Sequence, residues 1–238
     1  MIAFLIQLPP SYVYDFARGP FFQLTSTKLP NVRLSRLRTR YLCMKMIEVE
    51  RKFRVSPEVR SELEQRCSSR CLVKLKDCYW CEDLALEDKW LRQRNGTWEL
   101  KIPIVQRRIR TPGTTVYREL VEPTLWKELS QFKTDIENLP PYATIHTERT
   151  KLHCVWDSRQ IEVVLDSCTA DDGFQYSIGE LEILVEQESQ VEDAAAALDR
   201  FAQSLKLKAQ SHSDGKLIAY LKEKNGTLYN ALAVKGLV

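Results

Sequence analysis

The stretch Ile47-Glu48-Val49-Glu50-Arg51-Lys52 begins with alternating apolar and charged residues, which predicts a β-strand. Glu48, Glu50 and Lys52 then project from one face of the strand. A half-buried strand normally carries an apolar row, so this charged row indicates either a solvent-exposed face or a wet, ion-binding cavity. Carboxylates are good Mg²⁺ ligands and a neighbouring lysine can bind phosphate, so the cavity is chemically reasonable.

Strand-like segments separated by short turns continue after this stretch and dominate the chain to about residue 186. The turns include Asn95-Gly96, a typical two-residue hairpin connection, and Asp157-Ser158-Arg159. Eight strands with close turns favour an antiparallel barrel over parallel β/α units. The predicted strands are 46–54, 70–80, 88–94, 97–104, 114–122, 144–156, 160–167 and 177–186.

Helical patterns interrupt and follow the strands. Ser56-Pro57 is a typical N-cap and first-turn pair for a helix over 57–67. An apolar stripe at helical spacing predicts an amphipathic helix over 190–206. Further helices are predicted over 123–137 and 215–223. We therefore expect a mainly β, α+β fold: an eight-stranded antiparallel barrel with flanking and C-terminal helices.

Charged rows recur on the other predicted strands, and their members fall into two classes. Each row alone is typical of an exposed sheet face. So many charges inside a barrel would be very costly unless they were paired or bound to ions, and a cavity for a polyphosphate with Mg²⁺ would satisfy both classes. The acidic class is Glu48, Glu50, Glu119, Asp166, Glu180 and Glu182, and the basic class is Lys52, Arg92, Arg94, Lys101 and Arg149.

At Glu48-x-Glu50-x-Lys52 the chain resembles the CYTH family, also called the triphosphate tunnel metalloenzymes, and it resembles the thiamine-triphosphatase branch in particular. The similarity extends in the family's order over about residues 46–222. The other matching runs are Trp90-Leu91-Arg92-Gln93-Arg94, Trp98-Glu99-Leu100-Lys101, Tyr117-Arg118-Glu119-Leu120 with Glu122-Pro123-Thr124, Asp166 to Asp171, Gly179-Glu180-Leu181-Glu182 and Lys216-Leu217-Ile218-Ala219-Tyr220-Leu221.

The resemblance implies an eight-stranded tunnel in which acidic residues bind metal and basic residues hold the triphosphate. The implied metal ligands are Glu48, Glu50, Glu119, Asp166, Glu180 and Glu182. The implied substrate-binding residues are Lys52, Trp90, Arg92, Arg94, Lys101, Arg149 and Lys216. The implied catalytic set is Glu48, Glu50, Lys52, Asp166, Glu180 and Glu182, and Trp90, on one face with the two arginines of its strand, is a candidate for substrate selection.

The activity that the resemblance implies is Mg²⁺-dependent hydrolysis of thiamine triphosphate to thiamine diphosphate and phosphate, with Mn²⁺ as a possible substitute. Alternatives are an inorganic or nucleoside triphosphatase or an adenylate cyclase on the same fold, and a non-catalytic module that binds polyphosphate. The expected partner is therefore a small-molecule triphosphate, bound by a monomer, with no nucleic acid and no membrane.

Composition divides the chain near residue 46. Residues 1–47 contain seven Lys or Arg and one acid, whereas the remainder has 28 basic and 31 acidic residues and so is no polycation. Residues 1–45 are predicted to lie outside the domain, as a disordered tail or as sequence upstream of a start at Met44 or Met46, with a transit peptide as the alternative. The domain is expected over 46–224, a tail over 225–238, and a cytoplasmic location, or mitochondria if the transit peptide is real.

Seven cysteines and no evident secretory signal argue against a disulfide framework. Cys67-x₃-Cys71 and Cys78-x₂-Cys81 invite a zinc site, but the gap between the pairs is shorter than zinc-ribbon spacing. Reduced, buried thiols are therefore the expectation.

Overall fold

Residues 46–104, 113–130, 136, 138–207 and 214–238 are described by a computed structural model. All belong to one compact unit, Arg40–Val238. The strands are β1 (Ile47–Phe53), β2 (Ser69–Trp80), β3 (Trp90–Arg94), β4 (Thr97–Pro103), β5 (Thr114–Val121), β6 (Ala143–Trp156), β7 (Arg159–Thr169) and β8 (Gln175–Val185). The helices are α1 (Pro57–Arg66), α2 (Glu82–Ala85), α3 (Thr124–Glu128), α4 (Val191–Ser204), α5 (Lys216–Lys224) and α6 (Gly226–Val234), with a short 3₁₀ turn at Glu188–Gln190.

The eight strands form a closed antiparallel barrel in the order β1-β5-β4-β3-β2-β6-β7-β8. This confirms the predicted fold class, and each strand begins and ends within two residues of its prediction. The hairpin turn at Asn95-Gly96 is also confirmed, with both residues at positive φ. In a barrel each strand alternates between an inward and an outward face, which sets the charged rows against apolar rows.

Two apolar clusters cover the outside of the barrel. Helix α4 places its predicted stripe of Val191, Ala194, Leu198 and Phe201 against the outward residues of β1 and β8. A second cluster packs α2 and α3 on β3, β4 and β5. Phe53 of β1 pairs with Gly179 of β8, and a Cβ on residue 179 would lie 2.2 Å from the phenylalanine ring. The outside therefore supplies most of the hydrophobic core, and the middle of the interior is left to the charges.

A third cluster joins α5 and α6 to one end of the barrel interior. Ala143 and Ile145 lie on the same face of β6 as Arg149, by alternation, and pack against Leu217 and Leu221 of α5. Residues 225–238, predicted as a tail, contain helix α6, whose Leu228 and Leu232 are buried in this cluster.

Other sequence predictions need correction. Helix α3 ends at Glu128, well short of the predicted 137, and residues 131–135 and 137 lie outside the described part. Cys67 and Cys154 form a disulfide, although reduced thiols were expected. No signal in the sequence pairs these two, because they are 87 residues apart and meet only when α1 packs beside β6. The prediction for residues 1–45 also falls outside the described residues.

Candidate active site

Three carboxylates meet inside the barrel where β1 lies beside β8. The register places Glu50 opposite Glu182, and Glu48 is the next inward residue on β1. One oxygen from each of the three lies within 4.8 Å of the others, and all three side chains are buried. Hard oxygen donors gathered at this spacing suit a divalent cation such as Mg²⁺.

The pKa values of Glu48 and Glu182 in this cluster shift in opposite directions. Burial alone would raise the pKa of Glu48, but the ammonium of Lys101 outweighs it and the pKa falls to about 2. Burial, followed by repulsion from Glu48, raises the pKa of Glu182 to about 8. Ionising all three neighbouring carboxyl groups in a space with little water would cost much more free energy than in water, so one carboxyl retains its proton near neutral pH. A divalent cation would remove that penalty.

Strands β3 and β4 supply cations opposite this cluster. Lys101 pairs with Glu48 and lies 3.6 Å from a carboxylate oxygen of Glu50. Arg92 donates to Glu99 at 2.7 Å and to Glu119 at 2.8 Å. The arginine stays charged because the surrounding carboxylates, despite its burial, raise its pKa well above the usual value.

Arg149 on β6 forms the second cationic group. It binds Asp166 through two hydrogen bonds of 2.8 and 2.7 Å and reaches Glu180 at 3.3 Å. The planar guanidinium matches the two carboxylate oxygens, and the same fork matches a phosphate. Asp166 and Glu180 therefore lie on the tunnel wall but are engaged with this arginine.

A third group surrounds Asp77, a residue that the sequence did not single out. Arg94 donates to it at 2.6 and 3.0 Å, and Lys216 of α5 lies 2.5 Å away. Its side chain is fully buried. Burial alone would raise the pKa of Asp77, but Arg94 and Lys216 hold it well below the usual range. One feature of the sequence could have identified Asp77: it is an acid that lies between Leu75 and Tyr79, the apolar residues on the same face of β2.

Lys52 completes the row on β1. It pairs with Glu50, and its Nζ donates to Thr115 of β5 at 3.3 Å. Burial lowers the pKa of Lys52, although the nearby Glu180 opposes this. Gly215, just before α5, leaves room for its chain, because a Cβ there would lie 3.0 Å from its Cε.

Trp90 lies on the same strand face as Arg92 but is only half-buried. Its indole N–H donates to Asp88 at 2.9 Å, and the hydroxyl of Tyr117 donates to the same oxygen at 2.8 Å. The ring also packs against the cluster formed by α5 and α6. Asp88 and Tyr117 were not predicted as site residues.

The structure thus brings the predicted site residues to one interior surface. It also divides the acids into two groups that the sequence did not distinguish. Of the six acids predicted to bind metal, three form the carboxylate cluster, whereas Glu119, Asp166 and Glu180 accept hydrogen bonds from arginines. Lys216 enters the interior from α5, as its predicted role requires. Among the described residues no cysteines gather in a metal-binding group, so the zinc alternative is unsupported.

A barrel lined by paired cations and a carboxylate cluster is the arrangement that the sequence resemblance implied. The model of the CYTH domain matches residues 46–214. The chain belongs to the CYTH family. Two curated relatives identify the thiamine-triphosphatase branch. The enzyme of Macaca fascicularis is 31% identical over 213 residues, covering 79% of this chain and 89% of the relative. The human enzyme is 32% identical over 199 residues, covering 74% and 85%.

Solved structures also overlap with this CYTH chain. A protein from Pyrococcus horikoshii covers 68% of this chain with a TM-score of 0.47 at 18% identity, over 91% of its own length. A protein from Vibrio parahaemolyticus covers 73% with a TM-score of 0.49 at 16% identity, over 97% of its own length. None of the described helices combines the length and apolar character needed to cross a membrane.

Proposed function

We propose that this protein hydrolyses thiamine triphosphate to thiamine diphosphate and phosphate in the presence of Mg²⁺, with Mn²⁺ as a substitute. The observation that carries the proposal is the interior carboxylate cluster of Glu48, Glu50 and Glu182, surrounded by buried arginines and lysines. The names of the two curated relatives support the choice of substrate.

The cations of the wall bind the triphosphate. Arg92, Arg94 and Arg149 present rigid guanidinium groups, while Lys52, Lys101 and Lys216 contribute point charges. Each is positioned by a carboxylate, so it needs little rearrangement when phosphate oxygens approach. Fixed donors in a space with little water stabilise charge that develops on the phosphoryl group during transfer.

The carboxylate cluster holds the divalent metal. Its three hard oxygen donors fit Mg²⁺, which keeps several water ligands and binds through a few carboxylates together with substrate phosphates. When bound there, such an ion would supply positive charge that offsets the negative charge of the phosphate oxygens. Binding-only modules need mainly the cations, so a buried carboxylate cluster favours an enzyme over a polyphosphate-binding module.

Three carboxylates are candidates for positioning the attacking water: Asp166, Glu180 and Glu182. Asp166 and Glu180 are committed to Arg149. Glu182 has no ion-pair partner among the described residues and is the one to test first for this role.

Trp90 selects the organic end of the substrate. The indole is half-buried beside the phosphate-binding arginines, so it is accessible to an aromatic or cationic ring. Inorganic triphosphate lacks that end, and nucleoside triphosphates carry an uncharged base.

Phosphate release from thiamine triphosphate, inorganic triphosphate and ATP tests the proposal directly. Each is measured with Mg²⁺, with Mn²⁺ and with excess EDTA. We expect the highest kcat/KM on thiamine triphosphate and loss of activity in EDTA. A preference for ATP or inorganic triphosphate would show that thiamine triphosphate is not the substrate. Binding of triphosphate without turnover would show that the protein is a binding module and not an enzyme.

A further inference from the structure

Almost every carboxylate on the interior wall has a cationic partner. Within the described residues, Glu48, Glu50, Asp77, Glu99, Glu119, Glu162, Asp166 and Glu180 each lie within 4.0 Å of a lysine or arginine nitrogen. Among the residues that the structure describes, Glu182 and Asp88 have no lysine or arginine nitrogen within that distance. Glu182 belongs to the carboxylate cluster, where a divalent cation would compensate its charge. Asp88 lies elsewhere and needs a different explanation.

Asp88 sits between two aromatic side chains. One of its oxygens, Oδ1, accepts from both the Trp90 indole and the Tyr117 hydroxyl. Its other oxygen makes no hydrogen bond to the described residues. All three side chains are half-buried, so the group can be reached by a ligand. An indole, a phenol and a carboxylate together form a surface that suits a delocalised organic cation.

The local structure maintains this carboxylate at some cost. Asp88 has a positive φ of 61°, a backbone conformation that L-residues other than Asn and Asp rarely adopt. Burial raises the pKa of Asp88, because its two neutral donors offset only part of the lost hydration. Buried carboxylates with incomplete hydrogen bonding tend to occur where a ligand is held.

We propose that Asp88 is the counter-charge for a cationic organic group of the substrate, held between Trp90 and Tyr117. For thiamine triphosphate, on which this inference rests through the proposed function, that group is the thiazolium ring. The distance is suitable, because Arg92 is the next residue on the Trp90 face, about 7 Å further along the strand. A substrate whose phosphates bind Arg92 would place its ring beside Asp88.

The decisive variant is Asp88→Asn. Asparagine tolerates positive φ and its carbonyl still accepts from Trp90 and Tyr117, so the change removes charge and little else. We expect KM for thiamine triphosphate to rise roughly tenfold or more, the scale of a lost charge-assisted contact. Constants for inorganic triphosphate should stay within about twofold of wild type, since it has no cation to place. Glu87→Gln, an exposed acid one residue away, is the matched control and should leave both unchanged.

The outcomes are separable. If wild-type protein does not hydrolyse thiamine triphosphate, the proposed function fails. If wild type does but Asp88→Asn is unchanged, the inference about Asp88 is overturned. Equal losses on both substrates would also overturn it, because they would show that Asp88 only supports the strand. A thermal melt of the variant, expected within a few degrees of wild type, separates these results from misfolding.

Discussion

The ammonium of Lys216, at the start of helix α5, lies 2.5 Å from the buried carboxylate of Asp77 on strand β2. This ion pair joins the C-terminal helices to the barrel interior. The same ammonium also donates to Thr147 of β6 at 3.1 Å, which is a second link to the interior. The apolar contacts of Leu217 and Leu221 then fix α5 over the barrel end. The charge that we propose for substrate binding and the packing of the helix are therefore coupled at one residue.

Asp77→Asn should destabilise the protein by about 3–5 kcal/mol, because Arg94 and Lys216 would lose their nearest counter-charge. Each would keep only a longer ion pair, Arg94 with Glu99 at 3.8 Å and Lys216 with Asp166 at 3.9 Å. Urea denaturation measures the change. Asp83→Asn, an exposed acid on α2, serves as control and should stay within about 0.5 kcal/mol of wild type. Equal stability of the two variants would show that the buried pair contributes nothing.

Glu50→Gln should keep the fold and lower kcat strongly, with partial recovery at higher Mg²⁺, because one of the three clustered carboxylates loses its charge. Activity across a Mg²⁺ titration is the measurement. Glu148→Gln removes an exposed carboxylate from β6 and should leave the titration unchanged. An unaltered Mg²⁺ dependence in Glu50→Gln would remove this residue from the metal site.

Glu182→Gln should stabilise the metal-free protein at pH 8–9 and have little effect near pH 5. The folded state holds a proton on Glu182 up to about pH 8, whereas the unfolded chain releases it near 4.5. A raised folded pKa means that stability present below the unfolded pKa is lost as the pH rises to about 8. Glutamine removes this loss, on the order of a few kcal/mol.

Thermal melts in EDTA at both pH values test this prediction. Added Mg²⁺ should raise the melting temperature of wild type at pH 8 more than that of the variant. A stability difference that does not depend on pH would contradict the assignment of the proton to Glu182.

Gly179→Ala should destabilise the fold by about 1–3 kcal/mol, because the new methyl group would overlap the ring of Phe53. Calorimetry measures the cost. Gly226→Ala is the control, since a Cβ there meets nothing within 4 Å. Adding Phe53→Leu to Gly179→Ala should cost less than the sum of the two single changes. Strict additivity would show that the ring and the methyl group do not compete.

Much of the fold was predictable because it follows from local alternation. Period-two patterns located all eight strands, and turn residues such as Asn95-Gly96 located their ends. The stripe at Val191 and Ala194 located α4 in the same way. Helix α6 was missed because its residues are apolar on most sides and carry little amphipathic pattern, so only its packing against α5 reveals its place.

From the sequence alone, alternation showed which strand charges share a face, because the face on which a strand residue lies depends only on its position along that strand. Which of these charges meet depends on how the strands and helices pack. Glu182 joins Glu48 and Glu50 because β8 closes on β1, and Asp77 receives Lys216 because α5 returns to the barrel from a distant part of the chain. Partner choice depends on strand register and helix docking, which are set by contacts between residues far apart in sequence, and no local pattern records them.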